Sequence, residues 1–141
     1  GIDSWIYDSV HYAIEHGYIR SHFGITRRLP ILKLAGISSI GEAIGDIKTY
    51  ANMSANSPVQ GAESGIMFRS ELEIMRRIKE QGLDAWIINS IHDSCMMVVK
   101  DEDMEHVCKI IKEVFDVVPP EFPVPMESEI DIFDVHGGEY W

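Results

Sequence analysis

Ala85-Trp86-Ile87-Ile88, Asn89-Ser90-Ile91-His92-Asp93-Ser94 and Cys95-Met96-Met97-Val98-Val99 follow one another without a break. Two short apolar runs flank a polar hexapeptide. Runs of this length, bounded by turn residues, read as strands rather than helices. The stretch therefore predicts strand, tight turn, strand, with both strands largely buried. Asp93 sits at the turn. An ionised carboxylate near apolar walls is costly unless it meets a cation. A divalent metal is one such partner, and Mg²⁺ prefers oxygen ligands. The competing reading is an ordinary turn residue, because Asp favours turns.

Working outward, residues 61–81 read as a helix with Ile66, Met67, Ile74, Met75 and Ile78 as its buried stripe, ended by Gly82. Asp103 is placed to N-cap a helix carrying Met104, Val107, Cys108, Ile111, Val114, Phe115 and Val118, stopped by Pro119-Pro120. Val124 to Phe133 reads as a final strand, and Gly137-Gly138 as a turn. Upstream, Ile2, Trp5, Ile6, Val10, Ala13 and Ile14 recur at helical spacing, so residues 3–16 read as an amphipathic helix stopped by Gly17. Residues 18–29 read as a β-hairpin with a basic face. Residues 31–56 are less regular, with helical pieces around Ile40, Ala43, Ile44, Ile47 and Ala51. Helices interleaved with antiparallel hairpins predict an α+β fold.

The 141 residues suit one domain, or one piece of a larger one. With 45% hydrophobic and 25% charged residues, disordered and collagen-like chains are excluded. No apolar run is long enough to span a bilayer, and no signal-peptide pattern opens the chain, so no membrane partner is expected. Cys95 and Cys108 are too few for a disulfide scaffold and lack metal-finger spacing, which points to a reducing, cytoplasmic compartment. The net charge of −11 is uneven: residues 1–100 hold 10 Lys/Arg against 11 Asp/Glu, and residues 101–141 hold 2 against 12. The average hides a basic patch of Arg20, His22, Arg27, Arg28 and Lys33.

Asn56-Ser57-Pro58-Val59-Gln60-Gly61 leads into the 61–81 helix. Pro58 restricts the backbone, Gly61 allows close approach, and Asn56 and Gln60 carry amides that donate and accept. Such amides suit minor-groove edges, where purine N3 and pyrimidine O2 accept. They equally suit helix capping and loop bonding.

Taken in order, Gly17-Tyr18-Ile19-Arg20, Phe23-Gly24, Arg27-Arg28-Leu29-Pro30, then Asn56-x-Pro58-x-Gln60-Gly61, then Ile91-His92-Asp93, then Val124-Pro125 and Gly138-Glu139-x-Trp141, resemble the C-terminal end of family A DNA polymerases, the DNA polymerase I type, including phage-encoded members. The likeness covers nearly all of the chain. It implies that residues 1–141 are a single partial domain, the C-terminal palm segment, whose motif C hairpin packs with a C-terminal strand against helices. Motif A, fingers and thumb would then belong to the remaining polymerase segment. It implies that Asp93 is the motif C aspartate, which with a motif A aspartate holds two Mg²⁺ ions for adding deoxynucleotides to a primer 3′-hydroxyl. His92 resembles the histidine that supports the primer terminus. Asn56 and Gln60 resemble the amides that touch template–primer, and Arg27 and Arg28 are expected on DNA. The implied partners are template–primer DNA and deoxynucleoside triphosphates. The implied compartment is the cytoplasm, that of the host for a phage enzyme. An isolated segment is expected to be inactive and to form a homo-oligomer.

Two residues depart from the family pattern. Ser94 stands where the family has Glu, and His-Asp-Ser is also the pattern of single-subunit RNA polymerases. Asn52 stands where the family has Arg. Two alternatives therefore remain open: a segment of a single-subunit RNA polymerase, and a non-catalytic nucleic-acid-binding or assembly module with a palm-like fold. Other features carry no site. Gly61-Ala62-Glu63-Ser64-Gly65 misses the nucleophile-elbow spacing. His11 and His16 are five apart, on different helix faces. Arg69, Arg76, Arg77 and Lys79 read as a solvated helix face, with a DNA-backbone contact as the alternative.

Overall fold

The computed structural model describes residues 1–34, 48–116 and 126–133. The expected helical pieces before Ile47, the Pro119-Pro120 stop, Val124-Pro125, the Gly137-Gly138 turn and the terminal Gly138–Trp141 motif lie outside the described residues. The fold is mixed α and β, in two compact units, residues 1–66 and 67–141.

In the first unit, α1 (Ile2–His16) ends where Gly17 turns left-handed at φ 77 and donates its N–H to the Ala13 carbonyl. Only Ser9, Val10 and Ala13 of α1 are buried; Ile2, Trp5 and Ile6 of the expected stripe are exposed. Strands β1 (Tyr18–Arg20) and β2 (Thr26–Arg28) form the expected hairpin, with Tyr18 opposite Arg28, Ile19 opposite Arg27 and Arg20 opposite Thr26. The loop is tied by Ser21, whose N–H donates to the Ile25 carbonyl at 2.9 Å and whose hydroxyl accepts from the Ile25 N–H at 3.2 Å. A short α2 (Pro30–Leu34) follows. Ala13, Ile19, Leu29 and Leu32 form this unit's core, covered by Ile14, Tyr50 and Met53.

Helix α3 runs from Lys48 to Gln81, 34 residues with Pro58 inside it, and supplies residues to both units. It begins thirteen residues before the expected start at Gly61. Pro58 is accommodated within the helix, although it cannot donate to the carbonyl of residue 54. The glycines explain the helix's seating. A Cβ on Gly61 would fall 2.7 Å from the Ser21 Cβ, and one on Gly65 would overlap the Phe23 ring. The close approach that Gly61 allows is thus to the β1–β2 loop.

In the second unit, α3 stops at Gly82 (φ 68), with the Leu83 N–H donating to the Ile78 carbonyl at 3.1 Å. Strands β3 (Ala85–Ile91) and β4 (Ser94–Val99) form an antiparallel hairpin, followed by a 3-10 turn (Asp101–Asp103) and α4 (Met104–Phe115). Ile74, Ile78, Ala85, Val107 and Ile110 make the core, with Met97 and Val99 packed on it. The expectation of two largely buried strands fails. Trp86, Ile88, Ile91, Met96 and Val98 are exposed on the hairpin's other side. An apolar run is compatible with one covered face as well as two, and one is what this unit supplies.

Two further expectations are corrected. Asp103 precedes α4 but makes no side-chain cap; its carboxylate accepts the Asp84 N–H at 2.8 Å instead, tying the β3 side to the α4 side. Residues 126–133 form no strand. The alternating pattern is present, but these residues have no ladder partner among the described residues; Ser128 instead donates both its N–H and its hydroxyl to Asp116 at 2.8 Å. Two hydrogen bonds from Ser128 hold the Asp116 carboxyl below its ordinary range.

Candidate active site

The β3–β4 turn is as short as a hairpin turn becomes. Ile91 pairs with Ser94, leaving His92 and Asp93 as the loop. His92 sits at φ 53, the one non-glycine residue at positive φ among the described residues. Tight two-residue turns demand such a backbone, usually from Gly, Asn or Asp. A side chain there costs about 1–2 kcal/mol. The Ser94 hydroxyl donates to the Ile91 carbonyl at 3.0 Å and closes the turn. Ser94, the residue behind the RNA-polymerase alternative, therefore has a structural task of its own.

Below the turn the ladder is irregular. Ile87 pairs with Met97 and Asn89 with Met96, so Ile88 is an extra, bulged residue. A bulge flips the side-chain alternation. Ala85 and Ile87 face the core before it; Ser90, paired with half-buried Cys95, faces that way after it. Asp93 is exposed rather than walled by apolar groups, because the turn projects past the core. Its carboxylate is solvated, an oxygen donor of the kind a hard divalent cation takes. Among the described residues no group of three or more His, Cys, Asp or Glu converges to hold a metal. Asp93 therefore offers one carboxylate, and a two-ion site would need further carboxylates.

Asn56 and Gln60 lie inside α3, not in a loop leading into a helix. This removes capping as their role. Four residues apart, they share a helix ridge with Asn52, and all three amides are exposed. The Gln60 backbone carbonyl accepts the Ser64 hydroxyl at 2.9 Å. Arg27 and Arg28 are both exposed on β2, but successive strand residues point to opposite faces. Arg28 shares its face with Tyr18, Arg20 and Thr26; Arg27 is opposite Ile19. The hairpin is therefore basic on both faces, not on one. The structure brings His92 and Asp93 together in the second unit, and Asn56, Gln60, Arg27 and Arg28 belong to the first.

Of the cations on α3 read as a solvated face, Arg76 is exposed and Arg77 is half-buried, and both are held in ion pairs. Arg76 clamps Glu73 at 2.8 Å and Glu80 at 2.5 Å, while Arg77 joins Glu73 at 2.8 Å and reaches Glu113 of α4 at 3.0 Å. Hydrogen bonds from Arg76 and Arg77 lower the Glu73 carboxyl to about 2.

Sequence reading missed two groups. Glu71 lies in the core stripe of α3 at only 9% exposure, with one carboxylate oxygen lacking a partner among the described residues. Burial, and then the Glu71 charge, push the Cys95 thiol up. The signal was a Glu between Met67 and Ile74 at core spacing. The second group is a set of rings, Tyr12, His16 and Tyr18, that meet across the α1 stop.

The model of DNA polymerase family A matches residues 1–137. The chain is 30% identical over 140 residues to the thermostable DNA polymerase I of Thermus aquaticus, covering 99% of this chain and 15% of that protein. It is 31% identical over 101 residues to DNA polymerase I of Pseudomonas aeruginosa, covering 71% of this chain and 10% of that protein. A DNA polymerase of Bacillus phage SP01 is 25% identical over 146 residues, covering 99% and 15%. The fold is similar to the POL domain of the M. smegmatis polymerase, solved in complex with DNA primer-template and dNTP, with a TM-score of 0.72 and 23% identity over 89% of this chain and 21% of that one. The chain thus spans about one-seventh of the length of the Thermus and phage relatives.

Proposed function

This chain belongs to DNA polymerase family A, and from that premise we propose that it is the C-terminal palm segment of a DNA-directed DNA polymerase, with Asp93 as a metal-holding carboxylate. The observation that carries the reading is the solvated Asp93 at the tip of a two-residue turn, on a hairpin anchored to its own core by Ala85, Met97 and Val99. Strands built into a core hold a projecting carboxylate more precisely than a long loop would. Mg²⁺ held there would supply Lewis-acid stabilisation of the phosphoryl group being transferred to a primer 3′-hydroxyl. The second carboxylate belongs, in this reading, to the remaining polymerase segment. His92 supports the primer terminus. The exposed amides of Asn56 and Gln60, together with Arg27 and Arg28, grip template–primer DNA, the arginines on phosphates and the amides at the minor-groove edge. The compartment is the cytoplasm.

The test is single-turnover incorporation of a deoxynucleotide on a matched primer, with the remaining polymerase segment supplied. Asp93→Asn is expected to lower incorporation by orders of magnitude and to leave template–primer binding nearly intact. The metals act on charge that develops in the transition state, whereas grip comes from phosphate and groove contacts. Gln60→Ala is expected to weaken alignment of the primer terminus by about 1–3 kcal/mol. Near-normal incorporation by Asp93→Asn would return Asp93 to an ordinary turn residue and leave a nucleic-acid-binding module as the better reading.

A further inference from the structure

Tyr12 and His16 stand one helical turn apart on α1, and their rings lie parallel, 4.0 Å between centroids at an interplanar angle of 11°. Tyr18, just past the Gly17 stop, meets both edge-on, at 5.7 Å from Tyr12 and 6.0 Å from His16. The Tyr12 hydroxyl donates to the Tyr18 hydroxyl at 3.2 Å, and His16 Nδ1 lies 3.0 Å from the Tyr12 carbonyl. That hydrogen bond to Tyr18 raises the Tyr12 phenol above its ordinary value. The rings are thus fixed relative to one another before any ligand arrives. Tyr12, 37% exposed, and His16 are open to solvent, and Tyr18 is half-buried beside them.

Cations adjoin the rings. The Arg20 guanidinium lies 5.7 Å from the Tyr18 centroid and donates to the Thr26 hydroxyl at 3.2 Å. Arg28 is the cross-strand partner of Tyr18 and shares its face. Neither arginine has a carboxylate within ion-pair distance among the described residues. Fixed aromatic faces beside such cations are what an unpaired nucleotide strand needs. Every base has a face to stack, and each stack is worth about 1–3 kcal/mol. The phosphates between bases take the guanidinium groups. In a duplex those base faces are already occupied by neighbouring base pairs.

We propose that Tyr12, His16 and Tyr18, flanked by Arg20 and Arg28, form a stacking surface for the bases of single-stranded DNA. Assigning that strand as the unpaired template rests on the polymerase reading; the binding itself does not. Tyr7 and His11 provide an internal control. They form a similar stacked pair with centroids 6.1 Å apart, but five residues back, roughly 140° around the helix, and no arginine lies over either ring.

The experiment is fluorescence anisotropy of a labelled oligothymidylate of about twelve nucleotides, titrated with the 141-residue chain, against a blunt duplex of equal length. The chain is expected to bind the single strand more tightly. Tyr12→Leu and Tyr18→Leu should each weaken that binding roughly 5- to 150-fold with duplex binding unchanged, and Tyr7→Leu should leave both unchanged. Arg28→Gln should lower the salt slope for the single strand by about 0.7. Circular dichroism melts check that each variant folds, and His16→Ala, at an exposed position, carries the same expectation should Tyr18→Leu not fold. Equal binding of single strand and duplex by the parent chain, unchanged binding by Tyr12→Leu and His16→Ala, or an equal loss in Tyr7→Leu would overturn the proposal. Asp93→Asn should leave oligothymidylate binding as it was, so failure here and failure of the polymerase reading appear in different assays.

Discussion

Ser94 donates its hydroxyl to the carbonyl of Ile91 at 3.0 Å, directly across the β3–β4 turn. That bond closes a loop in which His92 is held at φ 53. The strain sits on a residue that the family resemblance places beside the primer. Strain of this kind persists only where the surroundings impose it. His92→Gly should therefore raise the unfolding free energy read from the urea transition by a net of about 0.5–1 kcal/mol after the glycine's own entropy cost. On the proposed role of His92 at the primer terminus, the same change should lower primer extension once the remaining polymerase segment is supplied. A variant no more stable than the parent would show that the turn bears no strain.

The seat of α3 on the β1–β2 loop gives a second expectation. Gly65→Ala would push a methyl group into the Phe23 ring. Overpacking of this kind costs about 1–3 kcal/mol. Phe23→Leu in the same chain should restore part of that loss, a coupling that a double-mutant cycle reads directly. Additive losses in thermal melts would mean that the helix shifts rather than clashes.

Glu73 sets an acid limit on the second unit. Its carboxyl ordinarily titrates near 4.5 and is lowered to about 2 by Arg76 and Arg77. A depressed carboxyl contributes stability above its unfolded value and loses it as pH falls through the folded one. The stability tied to Glu73 should be intact at neutral pH and fade between about 4.5 and 2. Glu73→Gln should flatten the dependence of melting temperature on pH in that window. An unchanged acid slope in the variant would remove Glu73 from the account.

The β3–β4 hairpin was legible because Ala85–Ile88 and Cys95–Val99 are apolar runs with turn residues between them. Its single covered face was not legible. Ile88 and Val98 look the same in sequence whether or not a layer covers them, and the bulge at Ile88 changes which residues face inward. The start of α3 was hidden by Pro58, which read as the approach to a helix when it is inside one. The packing of Gly61 and Gly65 against Ser21 and Phe23 is a tertiary fact that no local pattern encodes. Asp93 stood out for its setting between apolar runs, but its exposure removes the apolar walls as a reason to expect a cation there. The Tyr12–Tyr18 contact was missed because it crosses the helix stop at Gly17, where period-based reading changes from helix to strand.

The outer face of that hairpin carries the last prediction. Trp86 and Val98 pair across the strands there and are 63% and 54% exposed; Ile91 and Met96 extend the same face. The sheet has only two strands among the described residues, so each strand also presents an unpaired edge. An apolar face joined to open edges favours association. The isolated 141-residue chain should therefore show a concentration-dependent mass above that of a monomer in light scattering. Replacing both Trp86 and Val98 by Lys should return it to a monomer with little change in melting temperature, because neither side chain contributes to the core beneath. The charge already present does not prevent this association. The excess of acidic residues lies after residue 100, away in sequence from the face itself. Raising the salt concentration should strengthen the association, by screening the repulsion between chains of net charge −11. A monodisperse monomer at high concentration and high salt would mean that the exposed face and edges are insufficient to hold two copies together.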